Sequence, residues 1–196
     1  MPRPKEFDVD HALRRALEVF WAKGYEATSV QDLVDAMGIQ RASLYGTFGD
    51  KHSLYLQALR HYQQQSLVEM ERSLAAAASP LAGLKALLTG IADGAAGRNG
   101  RRGCFCVNAN VELAPVDHEV GGQVRQHSEQ VEALLTRTLE AARTAGELPP
   151  RVDCLALATF VFGSILALNV LGKQRASRDR LQAVVQHTLA ALAPAG

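Results

Sequence analysis

A short polar segment, Arg41 to Thr47, carries the side chains best suited to bind another molecule. Arg41 offers a guanidinium that can pair with a guanine edge or a phosphate, and the hydroxyls of Ser43 and Thr47 can bond either group. Tyr45 can donate its phenolic hydrogen to a phosphate while its ring stacks on a sugar. This combination of groups predicts a surface that binds double-stranded DNA.

Two short helices joined by a tight turn must position this segment, after a first helix over about residues 10–23. Thr28 and Ser29 each precede a Gln or Asp by three residues, so either can start a capping box for the second helix. Gly38 follows the apolar stripe of that helix, and a third helix is predicted over about residues 40–48. In such a helix-turn-helix the first member braces the second, which enters the major groove. The apolar positions expected to form its core are Leu13, Leu17, Phe20, Val30, Leu33, Ile39, Leu44 and Phe48.

Polar groups outside the third helix extend the predicted DNA surface. Gln31 on the bracing helix can reach a base, and Lys51 begins a long fourth helix whose first amides add a positive end. Arg3 and Lys5 fit equally well a flexible arm on DNA and a disordered tail.

The first 60 or so residues resemble the DNA-binding domain of TetR-family repressors. The resemblance rests on GYEATSVQDLVDAMGIQRASLYGTFGDKHSLYLQAL and the apolar helix before it, and includes the signature Leu44, Tyr45, Phe48 and Lys51. The residues that it implies contact DNA are Ser29, Gln31, Arg41, Ala42, Ser43, Tyr45, Thr47 and Lys51. Gly46 departs from the family, which often places a larger side chain there, so one base or phosphate contact is expected to be missing.

The rest of the chain also reads as helical. Long periodic segments are separated by glycine and proline, and no alternating run of strand type occurs, so we expect an all-α protein of about nine helices. The resemblance implies two domains, a helix-turn-helix domain over residues 1–50 and a ligand-sensing and dimerisation domain over residues 51–196.

An apolar stretch over residues 154–172 raises the question of a membrane span. Thr159, Ser164 and Asn169 interrupt it and no aromatic belt brackets it, which favours a buried helix or one at a subunit interface. The last helix adds an apolar stripe of Leu181, Val184, Val185, Leu189 and Leu192. Together the two helices predict a homodimer and no membrane partner, in agreement with the four-helix bundle that the resemblance implies.

The segment GCFCVNANVELAP, residues 103–115, resembles a subset of the family with a Gly-Cys motif. Cys104 lies near a helix start, where aligned amides favour the thiolate, so a thiol sensor of electrophiles or oxidants is one hypothesis. The favoured alternative is that Cys104 and Cys106 are small buried apolar residues. The candidate ligand or sensing residues are Cys104, Cys106, Asn108, Phe160, Phe162 and Asn169, for an effector of unknown identity.

Composition excludes several other classes. With 47% hydrophobic and 21% charged residues the chain is globular, and a net charge of +1 gives no overall field toward DNA. Three cysteines and no secretory segment indicate a reduced, cytoplasmic protein. Cys104, Cys106 and His118 match no closed zinc pattern, and we expect no metal and no cofactor. The rival functions are a thiol-dependent oxidoreductase, which lacks a suitably spaced base or phosphate loop, and a ligand-independent DNA-binding regulator.

Overall fold

A computed structural model of the chain describes residues 7–192 apart from the side chain of Asn99, so Arg3 and Lys5 lie outside the described residues. Across that range the chain forms nine α-helices, one 3₁₀ helix and no strand, and the all-α prediction is confirmed. The elements are α1 (Val9–Lys23), α2 (Val30–Met37), α3 (Arg41–Phe48), α4 (Lys51–Ala75), α5 (Pro80–Ala96), the 3₁₀ helix (Arg98–Arg102), α6 (Phe105–Glu112), α7 (His118–Thr144), α8 (Cys154–Lys173) and α9 (Arg178–Ala190).

Polar side chains explain where several helices begin. Asp153 accepts hydrogen bonds from the N–H groups of Leu155 and Ala156, at 3.1 and 3.0 Å, and thereby satisfies two donors that have no partner within α8. Ser79 caps α5 with Pro80 in its first turn, and Ser177 caps α9. Each of these three helices therefore begins at a side chain that accepts hydrogen bonds from its first amides.

The chain packs as two compact units. Unit 1 contains the described residues up to Gln64 together with Asn108–Val124, and unit 2 contains Gln65–Val107 together with the described residues from Arg125 onward. The divisions fall inside α4, α6 and α7. The predicted boundary at residue 50 separates a DNA-binding role from a sensing role. Packing does not test that division, so it stays a prediction.

The core of unit 1 is aromatic at its centre. Phe20 of α1 meets Tyr55 of α4 edge-on with ring centroids 5.0 Å apart, and both side chains are almost fully buried. Of the eight predicted core residues, Leu13 and Val30 are only partly buried. The buried ones are Leu17, Phe20, Leu33, Ile39, Leu44 and Phe48, joined by Leu54, Tyr55, Ala58 and Leu59 of α4.

Unit 2 packs α5, α8 and α9 with parts of α4 and α7 around a leucine-rich core. Gly172 of α8 allows a close approach, because a Cβ there would lie 2.9 Å from the Cβ of Ala95 in α5. A buried polar pair also links two helices of this core. Thr188 of α9 donates to Ser164 Oγ of α8 at 2.9 Å, so neither hydroxyl is buried without a partner.

Helix α8 has two apolar faces of different exposure. It is the one helix of the described residues that is long and apolar enough to cross a membrane. One face is buried in the core of unit 2 and carries Cys154, Ala158, Val161, Ile165 and Leu168. The other face is exposed and carries Leu155, Ala156, Thr159, Phe160, Gly163, Leu166, Ala167 and Val170. Large apolar groups therefore lie uncovered along one side of the helix in the single chain.

Candidate nucleic-acid interface

Helix α2 begins with a reciprocal capping box. Ser29 Oγ accepts from the N–H of Asp32 at 3.0 Å, and Asp32 Oδ2 accepts from the N–H of Ser29 at 2.9 Å. Lys23 Nζ lies 2.6 Å from the other carboxylate oxygen. Of the two pairings that the sequence allows, this is the one that forms; Thr28 instead donates to the carbonyl of Gly24.

The turn between α2 and α3 begins at a glycine in the left-handed conformation. Gly38 has φ 67° and ψ 31°, and the next residue, Ile39, is buried. Arg15 Nε donates to the carbonyl of Ala36 at 3.1 Å, so α1 also satisfies the carboxyl end of α2. These contacts hold the carboxyl end of α2 and the turn that leads into α3.

Helix α3 separates its apolar and polar residues into two faces. Leu44 and Phe48 are buried, whereas Arg41, Ala42 and Tyr45 are exposed, Tyr45 to 45%. Ser43 and Thr47 are half-buried at the edges of the exposed face, and Gly46 lies in open space. A guanidinium, a phenol and two hydroxyls therefore project from one short, braced helix, which matches the layout of a DNA recognition helix.

Gln31 and Lys51 lie on the helices that flank α3. Gln31 is exposed on α2 and donates to Asp35 Oδ1 at 2.8 Å. Lys51 is the first residue of α4, and its ammonium lies 4.2 Å from the ring centroid of Tyr25. Asp50 accepts from the N–H of Ser53 at 2.7 Å and thereby caps α4.

Tyr25 lies between α1 and α2 and contacts Lys51, one of the predicted DNA-binding residues, although it was not itself among the residues predicted from the sequence. Its ring contacts Phe20, His52 and Tyr55 besides Lys51. Burial raises the pKa of its phenol, and the carboxylates of Glu26, Asp50 and Asp117 add to the effect, so the ring stays neutral. The only signal in the sequence was an aromatic residue just before the capping box.

The predicted sensing residues lie on or next to α6 and α8 and differ in burial. Cys104 directly precedes α6 and is half-buried, Cys106 is buried, and Asn108 is half-buried in the same helix. Phe160 is 49% exposed on the outer face of α8. Phe162 and Asn169 are half-buried, and Asn169 donates to the carbonyl of Ile165 at 2.9 Å. Among the described residues no group of His, Cys, Asp and Glu is arranged to hold a metal ion.

Asp32 makes the start of α2 sensitive to acid. Hydrogen bonds from Lys23 and then from Ser29 lower the pKa of Asp32 from 3.8 to about 2. Because the folded pKa is the lower one, the stabilisation is complete above pH 3.8 and disappears as the pH falls through about 2. We expect Asp32→Asn to lower the Tm by about 2 °C at pH 7, and the deficit to shrink as the pH falls toward 2. Thermal melts at several pH values, with Asp35→Asn as the control on the same helix, measure this; a deficit independent of pH would contradict it.

A braced two-helix motif with an exposed polar second helix defines a DNA-binding protein of the helix-turn-helix class. Residues 12–58 match the model described as bacterial regulatory proteins of the tetR family, and residues 80–191 match the tetracyclin repressor-like C-terminal domain. The chain belongs to the TetR family of transcriptional regulators.

Individual relatives agree with this assignment over nearly the full length. The chain is 34% identical to the HTH-type transcriptional regulator YezE of Bacillus subtilis over 193 residues, which cover 98% of this chain and 100% of YezE. It is 30% identical to the transcriptional repressor ComR of Escherichia coli over 188 residues, which cover 95% of this chain and 90% of ComR. A solved structure of a cysteine mutant of the TetR-family regulator CifR with 26-bp operator DNA superposes with a TM-score of 0.86, at 34% identity, and covers 96% of this chain and 99% of CifR. The protein is therefore a DNA-binding transcriptional repressor.

Proposed function

We propose that the protein represses transcription as a homodimer bound to a palindromic operator, and leaves the DNA when an effector acts on its C-terminal domain. The observation that carries the proposal is the exposed polar face of α3 on a well-packed helix-turn-helix. Residues 1–50 then bind DNA, and residues 51–196 sense the effector and dimerise. The site of action is the cytoplasm, where bacterial operator DNA lies.

The residues of the DNA surface take different roles in this proposal. Arg41 binds a guanine edge or a phosphate, and Ala42 contacts a thymine methyl group. Tyr45 binds phosphate and sugar through its exposed ring. Ser43 and Thr47 add hydroxyl contacts, Gln31 reaches a base, and Ser29 with Lys51 binds phosphate at the starts of α2 and α4. The ring of Tyr25 restricts the rotamers of Lys51, which lowers the entropy lost on binding.

The exposed face of α8 supports the homodimer. Its residues recur every three or four positions, from Leu155 to Val170, and include Gly163 and Ala167, whose small size lets a second helix approach. A twofold dimer places the two copies of α3 about one DNA turn, ~34 Å, apart. Effector action then favours a dimer whose recognition helices no longer match adjacent grooves, and operator affinity falls.

Two kinds of effector fit the C-terminal domain. The first is a small molecule held by apolar groups and a few polar ones, with Asn108, Phe162 and Asn169 as candidates. The second is a reagent that modifies a thiol, because Cys104 is the cysteine left half-buried while Cys106 and Cys154 are buried.

The thiol case gives a direct test at Cys104. Hydrogen peroxide converts an accessible thiolate to a sulfenic acid. If Cys104 is the sensor, we expect peroxide to lower the operator affinity of the wild type by about 5- to 150-fold and to leave that of Cys104→Ser unchanged. Fluorescence anisotropy with labelled operator measures both, and Cys154→Ser is the control with a buried thiol. Equal release of wild type and Cys104→Ser would remove the thiol hypothesis and leave a bound small molecule.

The function itself is tested with DNA from upstream of the protein's own gene. We expect the wild type to retard this DNA but not a scrambled fragment, and a footprint to cover two half-sites about 10 base pairs apart centre to centre. Absence of retardation would contradict repression by this route. Thiol oxidoreductase activity would then be the alternative to assay. Retardation that no extract or thiol reagent relieves would favour a ligand-independent regulator.

A further inference from the structure

A segment far outside the helix-turn-helix packs with it in unit 1. This segment, Asn108–Val124, comprises most of α6, the loop after it and the start of α7. We call it the supporting segment. Three polar contacts join it to the turn that precedes α2 and, at two places, to α4.

The first contact is made by the last residue of α6. Glu112 Oε1 accepts a hydrogen bond from the backbone N–H of Glu26 at 3.1 Å. The carboxylate also lies against Gly24, where a Cβ would be 3.0 Å from Glu112 Oε1 and where φ is +84°. Glu112 thus satisfies a backbone donor in the turn from which α2 begins, at a place where the chain leaves no room for a side chain.

The second contact is made just before α7. Asp117 Oδ2 lies 2.7 Å from His52 Nε2 in the first turn of α4, while Asp117 Oδ1 accepts from the N–H groups of Glu119 and Val120. Desolvation alone raises the pKa of Asp117, but hydrogen bonds from Val120 and His52 lower it below its usual value. The carboxylate is therefore ionised and fixed by several donors.

The third contact continues along α4. Gln63 Nε2 donates to the carbonyl of Gln123 at 3.2 Å, and Gln63 is buried. The supporting segment therefore contacts α4 at its first turn and again three turns later. It also holds the turn before α2, so it contacts the chain on both sides of the α2–α3 pair.

We infer that Glu112 and Asp117 are positioning residues for operator binding, an inference that rests on the proposed function. Helices α2 and α3 have only eight residues each, so their orientation depends on the segments that flank them. Glu112 fixes the turn before α2, and Asp117 fixes the start of α4, one residue beyond Lys51. Both carboxylates belong to the supporting segment, so in this inference the orientation of the α2–α3 pair depends on residues far along the chain from it.

The experiment compares full-length Glu112→Ala with Glu112→Gln and with Glu129→Ala, an exposed carboxylate on α7 outside the supporting segment. We expect Glu112→Ala to weaken binding to the upstream operator fragment by about 5- to 30-fold. Glu112→Gln keeps an oxygen acceptor and recovers most of the affinity. Loss of an acidic group alone strengthens attraction to DNA, so a weakening in Glu112→Ala has the opposite sign to the simple charge effect.

Hydrogen exchange at the Glu26 amide gives a readout independent of DNA. We expect faster exchange in Glu112→Ala than in the wild type and no change in Glu129→Ala. Unchanged operator affinity in Glu112→Ala, or equal weakening in both alanine variants, overturns the positioning role. Failure of the wild type to bind the fragment at all is a different result, because it refutes the proposed function and the inference with it.

Discussion

Arg41→Ala is expected to lower operator affinity by about 30-fold to 10⁴-fold. A good bidentate contact to a guanine contributes ~1–3 kcal/mol of discrimination, and a homodimer carries Arg41 twice. The side chain is exposed at the first position of α3, so its removal leaves the helix-turn-helix core intact. The loss is therefore expected in binding and not in folding.

Two comparisons separate a base contact from general attraction to phosphate. Arg137→Ala removes the same charge from an exposed position on α7 and should change affinity less than threefold. Competition between operator and scrambled DNA in anisotropy titrations measures specificity. If Arg41 contacts a base, the Arg41→Ala protein loses preference for the operator at one position of each half-site. A uniform loss on both DNAs would assign Arg41 to phosphate instead.

Local features of the helix-turn-helix were predictable because neighbouring residues determine them. Ser29 with Asp32 and Gly38 determine where α2 begins and ends, and the spacing of Leu44 and Phe48 determines which face of α3 is buried. The sequence left the capping pair open between Thr28 and Ser29; in the structure Ser29 forms the capping box and Thr28 donates to the carbonyl of Gly24. Such signals lie within a few residues of the feature they predict.

Contacts between distant residues could not be predicted in the same way. Glu112 and Glu26 are 86 residues apart, and nothing in either neighbourhood indicates the other. Tyr25 follows α1 and Lys51 begins α4, and these two helices pack through Phe20 and Tyr55. Tertiary packing creates these pairs, so the supporting segment and the cation–π contact appear only in the folded chain.

Which face of helix α8 is buried also depends on tertiary packing and could not be predicted from the sequence. Its sequence is apolar on all sides, so periodicity alone cannot tell which face enters the core. Packing against α5 and α9 buries the side that carries Ala158 and Leu168 and leaves the side with Phe160 exposed. The exposed side is the one on which dimerisation of this repressor depends in our proposal.

A charge on that side should therefore abolish both the dimer and operator binding. In Phe160→Glu a carboxylate would be buried between two subunits without a partner, which is costly enough to favour monomers. A monomer engages one half-site, and loss of the linked second site lowers affinity by about 10²- to 10⁴-fold. Light scattering measures the mass of the particle in solution, and fluorescence anisotropy measures its affinity for the operator.

Val68→Glu is the control on α4 and should remain dimeric. Val68 is exposed to 50%, against 49% for Phe160. A Phe160→Glu dimer with wild-type affinity would place the subunit interface elsewhere, because a buried, unpaired carboxylate cannot be tolerated at its centre.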